Sequence, residues 1–97
     1  MAEPDKEYFP INEWAEDDRP REKLLLKGKA SLSDAELIAI LMGSGSRNES
    51  AVDLAKRILR DVEDSLIELS KLDVLNLTKY KGVGEAKAIS IIAALEL

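Results

Sequence analysis

The chain has 97 residues, a length that one small hydrophobic core fills. It contains no Cys and no His, which excludes a disulfide scaffold, a thiol nucleophile, a Cys/His zinc site and a His-based acid–base catalyst. The net charge is −5, yet residues 1–18 hold seven acids against one base, while residues 19–97 hold 13 bases against 12 acids. The acidity therefore belongs to the leader. The body is close to neutral, so nucleic-acid binding has to come from local groups and not from a general basic field. No apolar run approaches the ~20 residues of a membrane span, and the N-terminus lacks the apolar centre of a signal peptide. These features predict a soluble cytoplasmic protein.

Residues 1–18 read as an extended polar leader, broken by Pro4 and Pro10. Its Tyr8, Phe9, Ile11 and Trp14 are apolar exceptions, and Trp14 is expected to cap one end of the core. Beyond Arg19 the hydrophobic pattern has helical period throughout. Pro20 fits a first helical position and Gly28 a helix stop, which predicts a helix over 20–27 with Leu24 and Leu25 as its apolar residues. Ser33 and Glu36 form a capping box that opens a helix over 34–42, ended by Gly43. Asn48 or Ser50 caps the next helix. There Ala51, Leu54, Ala55, Ile58, Leu59 and Val62 make one apolar stripe. A short helix is expected near 65–69. The run from Ser70 to Asp73 suggests a cap opening a helix over 71–79. The last helix starts at Glu85, with Ala88, Ile91, Ile92 and Leu95 on one face. No useful stretch alternates with period two, so the predicted fold is all-α.

Residues 77–92 carry the most chemistry. Gly82-Val83-Gly84 is the whole connection between two helices. Glycine permits positive φ and close backbone approach. The first turn of the helix from Glu85 has amides without intrahelical partners, and the helix dipole adds positive character there. Together these make a site sized for a phosphate. Val83 is expected to plug inward, and Lys81 and Lys87 flank the turn as charge-assisted donors.

The pattern recurs within the chain. Leu77, Tyr80, Gly82 and Gly84 are matched 39 residues earlier by Ile38, Leu41, Gly43 and Gly45. Ala88, Ile91 and Ile92 match Ala55, Ile58 and Leu59 at an offset of 33. The difference falls in the polar run after Gly45. Two helix-hairpin-helix units with approximate two-fold symmetry are therefore expected, neither able to bury its stripe alone. In the first unit Ser44 stands where the second has the Val83 plug, so that unit reads as a mostly structural copy. Gly43, Gly45 and Arg47 are its secondary candidates for contact with a ligand.

The spacing hydrophobic-x-x-hydrophobic-x-Gly-hydrophobic-Gly-x-x-x-Ala resembles the helix-hairpin-helix motif of many DNA repair and recombination proteins. More closely, the chain resembles the N-terminal domain of the RadC family. The residues that carry the likeness are Arg19 to Leu25, Gly28, Leu32 to Leu37, Gly43, Asp53 to Ala55, Gly82 to Ala88, and Glu96-Leu97. The resemblance spans about residues 13–97 and is collinear. It implies that a JAB/MPN-like domain with a His-and-Asp metal site follows in longer relatives. Nothing in this chain supplies that site, so no metal, no cofactor and no catalytic residue are expected here. The chain then reads as the N-terminal part of a longer protein.

Two functions compete on the sequence. One is a DNA-binding module without sequence preference, touching backbone phosphates through Lys81, Gly82, Val83, Gly84, Glu85 and Lys87. The other is a protein-interaction domain that positions the JAB/MPN-like domain.

Overall fold

Pro20 opens the first helix at no cost, because the amide it lacks would be unpaired in that position. In the computed structural model, which describes residues 19–97, α1 spans Pro20–Lys27 and closes on Gly28. The Gly28 amide donates to the Leu24 carbonyl at 2.9 Å, with φ +91. The parts expected of the leader and of Trp14 lie outside the described residues. A single 3-10 turn at Lys29–Ser31 follows.

α2 spans Asp34–Met42 behind the expected capping box: the Glu36 amide donates to Ser33 Oγ at 3.1 Å, and the Ser33 amide to Glu36 Oε1 at 2.8 Å. It stops at Gly43, φ +81. α3 spans Ala51–Asp61, and of its two candidate caps the structure uses Ser50, whose Oγ accepts the Asp53 amide at 3.1 Å. α4 spans Leu66–Ser70 behind a Ser65 cap. α5 spans Val74–Thr78 and α6 spans Glu85–Glu96.

The helix expected over 71–79 is shorter, for a local reason. Asp73 is itself the cap: its Oδ1 accepts the Asn76 amide at 2.8 Å, and Asn76 Oδ1 accepts the Asp73 amide at 3.0 Å. That reciprocal box fixes the helix start at Val74, and Ser70 closes α4 instead.

The stripes read from the sequence make the core. Leu54, Ala55, Ile58, Leu69, Leu77, Ala88 and Ile91 are all fully buried. Each large aliphatic side chain withdrawn in this way contributes about 1.5–3 kcal/mol. α2 packs chiefly on α3, α5 on α6, and α2 also packs on α6. Two helix pairs thus share one interior. The likeness between them is closer after the turns than before. α3 and α6 have 11 and 12 residues, whereas α2 has nine and α5 five.

α1 departs from expectation. It buries Pro20 against the body, but Leu25 and Leu26 are exposed and Leu24 is half-buried. Its Lys23 Nζ meets Glu36 Oε2 at 3.0 Å, which ties α1 to the start of α2. Among the described residues there is no strand, only an isolated bridge between Ser46 and Glu49. No helix of the described residues is long and apolar enough to cross a membrane.

Candidate functional site

The turn between α5 and α6 is built from backbone. The Val83 amide donates to the Tyr80 carbonyl at 3.0 Å, and Gly82 takes φ +99. A β-carbon on Gly82 would also sit 3.0 Å from Leu54 Cδ2 and 3.0 Å from Ser46 Cβ, so both conformation and space demand glycine there. Val83 is buried at 4% exposure, as the plug it was expected to be.

Gly84 is the N-cap of α6, with φ −86 and ψ −179. That is ordinary extended backbone, so the positive φ expected of this turn belongs to Gly82 and not to Gly84. Gly84 has nothing within 4 Å of where a β-carbon would lie. The amides of Glu85, Ala86 and Lys87 have no intrahelical acceptor and no side-chain cap. By contrast α2, α3, α4 and α5 are capped by Ser33, Ser50, Ser65 and Asp73. Lys81 is exposed beside the turn, and so is the Glu85 side chain, at a helix start where a carboxylate is favoured.

The first turn has the same glycines in a different setting. Gly45 stands where Gly84 stands in the second copy, yet its open side is filled. A β-carbon there would collide with the Glu49 carbonyl oxygen and lie 2.5 Å from the Ser50 carbonyl carbon. The polar residues after Gly45 form a tight turn that folds back over it. The Ser46 amide donates to the Glu49 carbonyl at 2.9 Å, and the Glu49 amide returns to the Ser46 carbonyl at 3.4 Å. Arg47 is exposed at its tip, and Gly43 is exposed at the end of α2.

The two turns lie against each other, and Lys87 joins them. Its Nζ donates to the Ser44 carbonyl at 2.8 Å, the Gly82 carbonyl at 2.9 Å and the Gly45 carbonyl at 3.3 Å. Lys87, expected as a flanking phosphate donor, is thus already engaged by carbonyls of both turns in the free protein. An ammonium has three N–H donors, and here all three have carbonyl acceptors.

Sequence reasoning missed a polar chain that braces the same region. Arg57 grips Glu49 with two bonds, Nε to Oε2 at 3.0 Å and Nη2 to Oε1 at 2.8 Å. The guanidinium lies over the Tyr80 ring, 5.5 Å from its centre. Tyr80 donates its hydroxyl to Asp61 Oδ2 at 2.6 Å. The bonds to Glu49 hold the Arg57 pKa above its usual value. Burial, and then the bond to Asp61, push the Tyr80 phenol up to about 12. Because the folded pKa is raised, the stability this proton holds is full below the ordinary value of 10.0 and is lost as pH rises through about 12. A Tyr8→Phe chain, titrated by phenolate absorbance, should show one late transition. Adding Asp61→Asn should bring it earlier, and a transition already at the ordinary tyrosine value would contradict the bond.

Two helix pairs, each closed by a glycine turn and packed through α2 and α6, define a small all-α hairpin domain. The chain belongs to the UPF0758 family: the family's profile, described as UPF0758 N-terminal, matches residues 11–89. Over 90 residues it is 64% identical to a UPF0758 protein of Flavobacterium johnsoniae, covering 93% of this chain and 39% of that protein. A UPF0758 protein of Porphyromonas gingivalis is 47% identical over 88 residues, covering 90% of this chain and 39% of the relative. UPF0758 protein GK2618 of Geobacillus kaustophilus is 51% identical over 87 residues, covering 90% and 38% respectively. The chain thus spans about two fifths of the length of the curated relatives it matches. No solved structure matches it.

Proposed function

We propose that this domain binds the phosphate backbone of duplex DNA without reading base sequence, through the second turn. Lys81, the Gly82–Val83–Gly84 turn and the amides that open α6 form the contact. The observation that carries this reading is the difference between two equivalent glycines. Gly45 is closed over by the protein's own backbone, whereas Gly84 faces open space in front of uncapped amides. Positive helix-end charge and unpaired N–H groups favour an anion there. On this reading the first turn is structural, and Arg47 at its tip is a secondary contact. Chemistry, if the RadC likeness extends to the whole protein, belongs to a JAB/MPN-like metallohydrolase part beyond this chain. A second reading, in which the domain docks that part, draws on the exposed Ile67, Leu75 and Ile89.

The near-neutral body neutralises few phosphates. Affinity is therefore expected in the non-specific range, about 10⁻⁴–10⁻⁶ M, with a slope of log K against log salt of about −2 to −3. Gly84→Ser is the informative variant. Its hydroxyl would cap α6 and raise stability by a few tenths of a kcal/mol, about the gain expected over a glycine cap. The same hydroxyl would occupy an amide that the phosphate needs. The expected result is a slightly more stable protein that binds duplex DNA at least about tenfold more weakly, the loss of one charge-assisted bond. Amide resonances of residues 81–87 should move when DNA is added to the wild type at low salt. If none moves, the DNA reading fails and the docking reading replaces it.

A further inference from the structure

We infer that Lys87 is a positioning residue: its ammonium locks the two glycine turns together and so fixes the α6 amides for a phosphate, without itself touching the ligand. This rests on the DNA-backbone reading above. The acceptors come from both hairpins, the Ser44 carbonyl at 2.8 Å and Gly45 carbonyl at 3.3 Å from the first turn, the Gly82 carbonyl at 2.9 Å from the second. They stand 43, 42 and five residues away in sequence, so the side chain bridges parts of the chain that no local rule brings together. Lys87 is also the third residue of α6. Its backbone amide is one of the uncapped donors, while its side chain fixes the turns beside them.

The electrostatics point the same way. Three carbonyl oxygens converging beside an anion site would repel a phosphate, and the ammonium cancels that partial negative charge. With its three donors engaged, Lys87 has none left for a phosphate oxygen. Lys81, exposed on the same turn, is the direct charge instead. The two lysines therefore have separable signatures. Loss of a phosphate-neutralising lysine flattens the salt slope by about one, whereas loss of a positioning lysine weakens binding at an unchanged slope.

The test compares Lys87→Met, Lys87→Arg and Lys81→Ala with the wild type, using a duplex of random sequence over a salt series. Circular dichroism and thermal melts set a temperature at which all are folded. In the free protein, Lys87→Met should shift the carbonyl-carbon resonances of Ser44, Gly45 and Gly82. It should also speed hydrogen exchange of the Ser46 and Val83 amides, which are bonded within the two turns. Its DNA affinity should fall about tenfold, the scale of a loosened supporting contact, with the slope preserved. Lys87→Arg, which keeps a cation for the carbonyls, should recover part of that loss. Lys81→Ala should flatten the slope. Unchanged exchange in Lys87→Met together with a flattened slope would overturn the proposal and make Lys87 a phosphate ligand. Unchanged exchange with unchanged affinity would overturn it too. A wild type that binds no DNA would remove the DNA reading and with it the ligand-positioning role, while the exchange comparison would still decide whether Lys87 locks the turns.

Discussion

Gly45→Ala is expected to lower stability by about 3 kcal/mol or more, at the upper end of what overpacking costs. The added methyl would meet the Glu49 carbonyl oxygen and the Ser50 carbonyl carbon, which are backbone and cannot swing aside as a side chain would. Relief requires moving the turn from Ser46 to Glu49. That turn delivers Ser50 to its capping bond with the Asp53 amide and Glu49 to its paired bonds with Arg57. Displacing it weakens both. Urea denaturation checks the result, and a midpoint within error of the wild type would mean that the turn yields freely. Gly84→Ala is the matched control. At an ordinary φ and in open space it should change stability by less than about 1 kcal/mol, the usual limit for a compatible exposed site.

Ile91→Ala should cost about 2–5 kcal/mol, the range for truncating a buried aliphatic side chain. Ile91 is fully buried on α6, the helix that packs against α2, α4 and α5. Its loss opens a cavity among elements from both hairpins, and the short α4 and α5 have few other contacts with which to close it. A domain of this size holds only about 5–10 kcal/mol in total, so the variant should be partly unfolded at moderate denaturant. A loss below about 0.5 kcal/mol would be the signature of an exposed site and would contradict the packing.

Much of the fold was legible because local chemistry specifies it. Pro20, Gly28, the Ser33–Glu36 box and Gly43 mark helix ends by rules that act within four residues. The stripe from Ala51 to Leu59 marks its own buried face. The start of α5 was misread because Ser70 and Asp73 are both competent caps, and only the return bond from Asn76 chooses between them. An Asp three residues ahead of an Asn was the available signal. The second turn was legible as a candidate site through its glycines and its repeat. What its neighbours do was not. The Lys87 bonds to Ser44 and Gly45, and the Tyr80 bond to Asp61, join residues 19 to 43 apart. No periodicity encodes such pairings. They exist only once α2, α3 and α6 have packed and brought the two turns to one end. The closure of Gly45 was hidden for a related reason: spacing equates it with Gly84, and only the path of the intervening chain tells them apart.

The shared interior also bears on when, during synthesis, the domain can close. α2 and α3 emerge from the ribosome first, with the stripe of Leu54, Ala55 and Ile58 already complete. Ala88 and Ile91, the residues that complete their enclosure, arrive on α6, the last of the six α-helices among the described residues. From the release of α3 until α6 follows, the first hairpin therefore carries an apolar surface that α4 and α5 alone do not enclose. Until α6 is released from the exit tunnel, that surface is open to chaperones and to other nascent chains.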